Sequence, residues 1–586
     1  MIKKVKSKVL FSLICTLSTT VLVGCTYNGD LKGDGTFTEL YSELDTFSSN
    51  KYKKYNAIIK DFNLGKRNFE GAIDIEMKGL VSVPKERENA PVLIILAGNE
   101  NLVKNENGSN KKLYKGYDYL AKSLAESGFL TLVIDTQFKD SYFDEDKIVE
   151  DKILEQLFDY HVDSLKKSIN GENIYGINLK KKGDMGNIGL IGQSSTARNI
   201  FNICDKKYNE GDTTIKGLLS ITPGESLSIT SAYPDVPTSI LVAEHSLNTK
   251  IGFDIYNEIE RSIDRKNFAS LTYLIGGDSK KFNQRIEEDK ILEAKVDEIA
   301  KVSEIKSMDN TVLDVDLSRS VDAQKSATEN AESIITEEKI LMDENTDLVN
   351  DVGLHENFLS SYCASFFKTI FNEDDEFKNI FLGASPSPSK MYGMNVLNKY
   401  YNEKREVVYS AYSNSSVKKK RITEENVVES NMSDVDTAVN FNEPTTTVEL
   451  KLKRLNWEKG HPRLIISSKE SDYSQYSALN LRWAVNSSSS LNLTSQKVAT
   501  VTLEDKDGKF SSVVLNSENA LRKIEGREKK NESGVSNWSR YTPLSDSRIP
   551  ISEFKGIDIK NIKKMTLSFD NSDSGSIYID EISLVN

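Results

Sequence analysis

The feature that most constrains the fold is an alternation, between residues 56 and 283, of short apolar runs with segments of helical spacing. The apolar runs are continuous, which is typical of strands buried on both faces. The segments between them carry apolar residues three and four positions apart, as amphipathic helices do. We therefore predict an α/β fold, with a parallel sheet covered by helices on both faces. The predicted strands are 91–97, 129–135, 188–193, 215–223 and 237–244, and the predicted helices are 116–128, 153–169 and 195–204.

A charged segment interrupts this pattern. Residues 284–350 contain 18 Asp and Glu against 8 Lys and Arg, and no aromatic residue, Gly, Pro or Cys. Such a composition does not bury a core, so we predict a solvated helical insertion over 284–349, with a lid that binds a partner or a cation as the alternative. Helical spacing with many aromatics resumes at 353–372, which predicts a helix that packs back on the sheet. The α/β domain then comprises 56–283 and 350–382.

The pattern changes again near residue 441. From there to residue 586, apolar and polar residues alternate in short runs between polar turns, and this period of two predicts an antiparallel β-sandwich. Residues 383–440 carry two prolines and runs of Ser, Asn and Lys, and we predict a linker there. The predicted strands of the sandwich are 447–456, 479–486, 498–506, 510–516, 565–570 and 576–586.

All three tryptophans, Trp457, Trp483 and Trp538, fall in this C-terminal part. An exposed Trp face can stack on a sugar ring, whereas a Trp in a sandwich is more often buried, and both interpretations stay open. The acidic, Gly-containing stretch 570–576 predicts a hairpin turn, with a Ca²⁺ loop as the alternative.

The N-terminus carries an export signal. Four lysines between positions 3 and 8 precede a mostly apolar segment, 9–23, that is short for a membrane span. Small residues then lead to Cys25, so that a peptidase can approach the backbone. Residues 1–24 resemble a bacterial lipoprotein signal peptide, which implies cleavage before Cys25, acylation of that cysteine, and anchoring in the lipid bilayer at the extracytoplasmic face of the bacterial cell membrane. An uncleaved anchor is the alternative.

The rest of the composition limits the function. Polar residues 25–55 are interpreted as a tether, and Cys204 and Cys363 are expected to be buried thiols rather than a disulfide. A net charge of −12 argues against nucleic acid as a partner, since phosphate contacts need clustered Lys and Arg. A mean hydropathy of −0.45 excludes a polytopic membrane protein. No HExxH, CxxC, EF-hand or nucleotide-binding glycine motif occurs, so we predict neither a metal nor a cofactor.

A serine lies where a predicted strand turns into a predicted helix. The sequence there is Gly192-Gln193-Ser194-Ser195-Thr196. In a nucleophile elbow, the sharp turn projects the serine hydroxyl and brings the next backbone N–H towards an oxyanion hole. Small residues flank the serine because strand and helix nearly touch there, although Thr196 stands where a Gly is usual. Ser194 is therefore the candidate nucleophile, with retention of the serine for turn geometry alone as the alternative.

These motifs, in their order along the chain, resemble the α/β-hydrolase fold, in the branch of dienelactone-hydrolase-like and cutinase-like esterases. The resemblance covers residues 66–283 and 350–372. The run 548–585 is similar to sandwich modules of the galactose- or carbohydrate-binding type, which are appended to such hydrolases. The segments that carry the hydrolase resemblance are 116–129, 189–196, 236–247 and 276–283.

The resemblance implies a serine nucleophile, a histidine that takes its proton, and an acid that orients the histidine. The acid would fall at position 246 and the histidine at position 279, but Ser246 and Ser279 stand there. Ala97-Gly98 replaces the usual His-Gly after the first catalytic-face strand, and Gln193 precedes the serine. The triad positions are therefore degenerate.

Few residues could take the role of the missing catalytic histidine, because the chain has only four histidines. His355 begins the helix after the insertion, where this fold presents its base on a late loop, and Glu244 or Glu225 could orient it. The alternative is that His355 merely lies near a helix N-terminus. If Ser194 is active, the candidate oxyanion N–H groups are those of Asn99 and Ser195, with Gly98 beside them.

The other three histidines are weaker candidates. His161 lies within a predicted helix and is expected to be structural. His461 belongs to the predicted sandwich. His245 is next to the acid position but would point the wrong way from the end of its strand.

Two functions follow. The first, favoured because Ser246 and Ser279 are lost together, is a degenerate, non-catalytic hydrolase-fold protein that acts as an envelope binding module, with cell-wall glycan as a partner of the sandwich. The second is an active serine carboxylic-ester hydrolase with Ser194 as nucleophile and His355 as relocated base. The second requires a ring nitrogen of His355 about 3 Å from the Ser194 hydroxyl, whereas the first predicts no histidine within reach.

Overall fold

The computed structural model describes the chain in segments, and none of the helices in those segments is both long and apolar enough to cross a membrane. The predicted signal peptide, residues 1–24, and nearly all of the predicted acidic insertion lie outside the described residues. The described ranges are 35–40, 43–44, 54–69, 73–98, 112–137, 147–224, 233–246, 249–262, 264–286, 351–371, 375–383, 387–401, 404–411, 427–432, 434–440, 451–458, 460–486, 489–492, 499–515, 521, 527–530, 536–539, 543–570 and 572–586.

Strands dominate the described residues. They are β1 (Gly35–Leu40), β2 (Glu43–Leu44), β3 (Ala57–Phe69), β4 (Ile73–Pro84), β5 (Ala90–Ala97), β6 (Leu130–Asp135), β7 (Gly183–Gln193), β8 (Ile215–Ile221), β9 (Thr238–Ala243), β10 (Ala269–Leu274), β11 (Lys390–Met391), β12 (Met394–Tyr401), β13 (Arg405–Ser410), β14 (Val427–Ser430), β15 (Asp434–Asn440), β16 (Lys451–Trp457), β17 (Arg463–Ser471), β18 (Ala478–Val485), β19 (Ala499–Asp505), β20 (Phe510–Leu515), β21 (Arg527–Lys530), β22 (Ser536–Ser539), β23 (Ser545–Pro550), β24 (Ile562–Ser568) and β25 (Gly575–Val585). The helices are α1 (Asp118–Glu126), α2 (Lys147–Ile169), α3 (Asn199–Asn209), α4 (Thr249–Arg261), α5 (Val352–Ile370) and α6 (Asp375–Leu382).

Eleven strands form one mixed sheet, here called the central sheet, in the order β2-β11-β12-β10-β9-β8-β7-β5-β6-β4-β3. The run from β6 through β5, β7, β8 and β9 to β10 is parallel. Antiparallel strands β4 and β12 pair with its two ends. The predicted α/β class, with a parallel sheet at its centre, is confirmed.

Helices cover both faces of the central sheet, because successive side chains of a buried strand point to opposite sides. In β5, Val92 and Ile94 join a core with residues of α2, α3 and α4, whereas Leu93 and Ile95 join a second core with residues of α1, α5 and α6. Helix α5 packs as predicted for 353–372. It lies so close to β7 that a Cβ on Gly189 would come within 2.2 Å of the Phe367 ring.

Two six-stranded sheets lie in the C-terminal region. Their orders are β1-β20-β19-β24-β17-β14 and β15-β16-β25-β18-β23, with β13 also paired to β25. Apart from the parallel pair β1–β20, their pairings are antiparallel. Both sheets contribute to one buried core, which includes Trp457, Trp483, Leu503 and Met565. The alternating pattern from residue 441 onward predicted six of these strands, β16, β18, β19, β20, β24 and β25, whereas β17 and β23 were missed.

Three expectations were wrong. Residues 383–440, expected to be a linker, contain β12, which completes the central sheet, and β13, which pairs with β25. Within the expected tether 25–55, β1 pairs with β20 and β2 with β11. Residues 570–576 are not a hairpin turn, because the strands that they join, β24 and β25, belong to different sheets.

The reason why a strand was missed in the expected linker is clearest for β12. Its inner residues include Asn398 and Lys399, which are polar yet buried, so the strand has no alternating apolar pattern. Each finds a tertiary partner: Thr272 Oγ1 lies 2.9 Å from Asn398 Oδ1, and Lys399 Nζ donates to Asn257 Oδ1 at 3.0 Å. Satisfied polar groups can be buried at little net cost.

Candidate functional site

The strand β7 ends in a strained turn at Ser194. This residue has φ +53°, a left-handed conformation that costs a non-glycine residue on the order of 1 kcal/mol. A 3₁₀ turn over Ser194–Thr196 follows, and α3 begins at Asn199. The strand-to-helix turn predicted around this serine is therefore present, with the backbone strain that such an elbow stores.

Gly98 and Thr196 hold the Ser194 turn close to the end of β5. A Cβ on Gly98 would lie 1.9 Å from the carbonyl oxygen of Gln193, so only glycine permits this close approach. Thr196 Oγ1 donates to the carbonyl of Leu96 at 2.8 Å and accepts from the N–H of Gln193 at 3.2 Å. Thr196, which departs from the usual glycine of the motif, thus ties the turn to the neighbouring strand.

The Ser194 hydroxyl is buried and has no hydrogen-bond partner in the part of the chain that the structure describes. Only 4% of the residue is exposed. Its carbonyl accepts from the N–H of Gly224 at 3.0 Å, and a Cβ on Gly224 would approach the hydroxyl to 3.3 Å. The hydroxyl is therefore held in place by backbone geometry and not by a base.

Other buried polar atoms at this edge also lack partners among the described residues. They are Gln193 Oε1, Thr222 Oγ1 and His245 Nδ1, which we call, together with Ser194 Oγ, the carboxyl-edge polar group. They follow or end the adjacent strands β7, β8 and β9, in which Gln193 pairs with Ile221 and Ile221 with Leu241. A buried polar atom without a partner costs about 1–3 kcal/mol. A ligand or water that bonded to these atoms would offset that cost.

Both ring nitrogens of His355 form hydrogen bonds with backbone groups. Its Nδ1 lies 2.7 Å from the carbonyl oxygen of Asp351, and its Nε2 accepts from the N–H of Asp278 at 3.0 Å. These partners select the neutral tautomer with the proton on Nδ1. Burial lowers the pKa of His355 and keeps it neutral. The predicted contact between a His355 ring nitrogen and the Ser194 hydroxyl is not formed.

Of the two positions that the resemblance assigns to the acid and the histidine, Ser279 has a contact with the turn. Ser279 begins a 3₁₀ turn, Ser279–Phe282, and is buried, and its carbonyl lies 3.5 Å from Gln193 Nε2. Ser246 follows β9, and its N–H donates to the carbonyl of Ala243 at 3.1 Å. The elbow, the end of β9 and the loop after β10 thus lie at one edge of the sheet, and a serine occupies each of these three places.

Of the two proposed acids, the described structure contains only Glu244, and the hydrogen-bond partner of its carboxylate is not His355. Glu244 Oε2 instead accepts from the N–H of Gly276 at 2.7 Å, so this carboxylate holds the turn after β10. Ser195, a candidate oxyanion donor, is half-buried directly after Ser194. Glu225, Asn99 and Cys25 lie outside the described residues.

The remaining histidines and the cysteines have structural surroundings. His161 is buried in α2 against Phe62, with 5.5 Å between ring centroids, as expected of a structural residue. His461 Nδ1 lies 3.0 Å from Asp570 Oδ1. Cys204 and Cys363 are free and buried, which confirms the prediction of two buried thiols.

Two of the tryptophans are core residues. Trp457 stacks on Phe569 with 4.6 Å between ring centroids and donates to the carbonyl of Ser572 at 3.0 Å. Trp483 is fully buried and donates to Ser547 Oγ at 2.9 Å. Neither presents a face for a sugar ring, and the side chain of Trp538 lies outside the described residues.

Sequence reasoning missed one charged residue at the carboxyl edge. Asp135 ends β6 and is buried, with Oδ2 3.2 Å from Lys78 Nζ and Oδ1 accepting from the N–H of Gln137 at 3.1 Å. Burial raises the pKa of Asp135, and the Lys78 ammonium opposes that shift. An acid at the end of a buried, mostly apolar strand is a signal that the sequence offered. Its pairing with Lys78 makes it a structural ion pair.

Comparison with known protein families yields no matching family, and comparison with curated proteins yields no significant relative. In the described part of the chain, no group of three or more His, Cys, Asp or Glu is arranged to hold a metal ion. The site is therefore defined by its geometry alone: a strained serine turn with a buried hydroxyl, a set of unpartnered polar atoms, and a histidine bound elsewhere.

Proposed function

We propose that this chain is a lipid-anchored, extracytoplasmic protein with an α/β-hydrolase-like body that binds a ligand in the bacterial envelope without turning it over. One observation carries the proposal. Both ring nitrogens of His355 are used by backbone groups of Asp351 and Asp278, so the histidine predicted to replace the lost base is already occupied. A serine hydroxyl without a base is a weak nucleophile at neutral pH.

The carboxyl-edge polar group supports binding as the retained role. Its hydroxyls and amide oxygen are buried, unpartnered and placed on adjacent strands, where α/β sheets commonly bind their ligands. Such atoms favour a ligand that offers hydrogen-bond donors as well as acceptors. A glycan or peptide of the cell wall fits that chemistry, and the C-terminal sheets would add surface for it, but without Trp457 or Trp483 as stacking platforms.

The test is active-site labelling of the mature protein with a fluorophosphonate probe, together with turnover of short-chain p-nitrophenyl esters. Ser194→Ala is the matched control, because it removes only an unpartnered hydroxyl. We expect parent and variant to be equally unlabelled and equally slow. Labelling or turnover that the parent has and Ser194→Ala lacks would overturn the non-catalytic proposal. Retention on purified peptidoglycan by the full mature chain would support the binding role.

The second candidate is a serine ester hydrolase. The observation that favours it is the strain at Ser194, whose left-handed φ persists although glycine would relieve it. This function requires a base other than His355 as it stands. If the probe labels Ser194, a His355→Gln variant distinguishes the two sources of the base: unchanged labelling excludes His355, whereas loss of labelling shows that the helix start rearranges during the reaction.

A further inference from the structure

We infer that Thr222 supplies a second ligand-binding hydroxyl beside Ser194 and that the two together bind an uncharged glycan, an inference that rests on the proposed binding function. Thr222 directly follows β8 and shares with Ser194 a left-handed backbone, with φ +41°. The branched Cβ of threonine makes this conformation rarer than it is for serine. Strain of this kind persists where the surrounding structure imposes it, and it is concentrated at functional sites such as ligand clamps.

The hydroxyl of Thr222 is buried and has no role in the described fold. The residue is 1% exposed, and its Oγ1 has no hydrogen-bond partner among the described residues. A valine would fill the same volume without burying an unpaired hydroxyl, which is unfavourable. A ligand group that bonded to Oγ1 would offset that cost, so the hydroxyl is suited to binding rather than to folding.

The Thr222 and Ser194 hydroxyls belong to neighbouring strand ends. Gln193 of β7 pairs with Ile221 of β8, so Ser194 and Thr222 leave two adjacent parallel strands, about 4.8 Å apart, at the same level. Gly224 then brings the chain back to Ser194: its N–H donates to the Ser194 carbonyl at 3.0 Å, and a Cβ there would lie 3.3 Å from Ser194 Oγ. Because residue 224 is a glycine, it leaves space directly against the Ser194 hydroxyl.

The chemistry of this edge favours an uncharged glycan as the ligand. A hydroxyl donates one hydrogen bond and accepts two, and the hydroxyls of a sugar do the same, so the two sets can rotate to complement each other. Two acidic side chains lie at the same edge, Glu244 after β9 and Asp278 after β10, and each binds a backbone N–H group. Their carboxylates disfavour an anionic ligand, including a short peptide with its terminal carboxylate.

Thermal melting of the full mature chain tests whether the fold uses the Thr222 hydroxyl. Thr222→Val keeps the branched shape and removes only the hydroxyl, so its Tm should equal or exceed that of the parent. Thr272→Val is the control: Thr272 Oγ1 accepts from Tyr362 and donates to Asn398, both at 2.9 Å, and its loss should lower the Tm by about 2–4 °C. An equal loss of Tm in both variants would show that the fold uses the Thr222 hydroxyl and would overturn the inference.

Calorimetric titration with chitotetraose, an uncharged glycan, and with pentaalanine, a peptide, tests the ligand class. We expect chitotetraose to bind the parent and Thr272→Val equally, and to bind Thr222→Val and Ser194→Ala about 3- to 10-fold more weakly, as the loss of one hydrogen bond implies. Unchanged affinity in Thr222→Val would overturn the role of Thr222 and leave the proposed binding function standing. Binding of pentaalanine alone, or of neither probe, would overturn the glycan class. Failure of the non-catalytic proposal would instead appear as fluorophosphonate labelling of Ser194.

Discussion

The guanidinium of Arg482 in β18 lies 2.5 Å, Nη1 to Oε1, from the carboxylate of Glu260 in α4. The two residues belong to different parts of the molecule, the C-terminal sheets and the helices of the central sheet. Arg482 also binds Asp546 through Nε at 2.8 Å and Nη2 at 3.1 Å, and Arg405 approaches Glu260 to 3.1 Å. The junction between the two parts is therefore a network of charges around the buried Arg482 and Asp546, with the half-buried Glu260 and Arg405 beside them.

Loss of Arg482 should destabilise both parts together. Arg482→Met leaves Glu260 and Asp546 buried with fewer counter-charges, and removal of one partner from a buried pair typically costs about 3–5 kcal/mol. Urea unfolding followed by fluorescence gives the free energy. Lys555→Met is the control, since Lys555 is 63% exposed and pairs with Glu553 at the surface, where an ion pair contributes about 0–1 kcal/mol. Equal effects of the two substitutions would contradict a stabilising junction.

Glu260 should make stability depend on acid pH. Arg482 and Arg405 outweigh the effect of burial and lower the pKa of Glu260 to about 2, from an ordinary value of 4.5. The unfolded chain therefore binds a proton before the folded chain does, so the contribution is complete above pH 4.5 and is lost as the pH falls towards 2. Glu260→Gln should flatten the pH dependence of the unfolding free energy in that interval. An unchanged slope in Glu260→Gln would count against the ion pairs.

His161 should be replaceable by an apolar residue. It is fully buried, neither ring nitrogen has a partner in the described structure, and burial lowers its pKa to about 3. Because the folded pKa lies below the unfolded value of 6.5, this histidine reduces stability progressively as the pH falls from 6.5 towards 3. His161→Leu should change the unfolding free energy at pH 7 by less than about 1 kcal/mol and make the protein more resistant to acid.

The control for that change is His461→Leu, because His461 is 54% exposed. Thermal melting at pH 7, 5.5 and 4.5 separates the two variants. An acid sensitivity that His161→Leu shares fully with the parent would mean that a buried water or a rearrangement satisfies the ring.

Ser194 should show the cost of its backbone conformation. Ser194→Gly relieves the left-handed φ and should change stability by no more than about 1 kcal/mol in either direction, since glycine also adds entropy to the unfolded chain. Ser194→Val, which is β-branched, should be destabilising by more than 1 kcal/mol, on the order of the strain at such positions. Ser194→Ala should lie between them. A valine variant as stable as the glycine variant would show that the turn relaxes.

Much of the fold followed from patterns that need no tertiary information. The strands β5, β6, β7, β8 and β9 are apolar runs because both of their faces are buried, and the period of two after residue 441 marked six of the C-terminal strands. The strand-to-helix turn at Ser194 followed from its small residues. In contrast, β12 was missed because its buried Asn398 and Lys399 are satisfied by partners far along the chain.

The candidate site was also predictable only in part from the sequence. The resemblance to the α/β-hydrolase fold pointed to Ser194, Ser246 and Ser279, which follow the strands β7, β9 and β10, and the carboxyl ends of these parallel strands share one edge of the sheet. The role of His355 was decided only by tertiary structure. Its ring binds backbone groups of Asp278 and Asp351, one of them 77 residues away, and no local pattern encodes a hydrogen bond between a helix start and a distant loop. The ion pair between Arg482 and Glu260 was likewise decided only by the tertiary structure, because folding alone brings these two distant residues into contact.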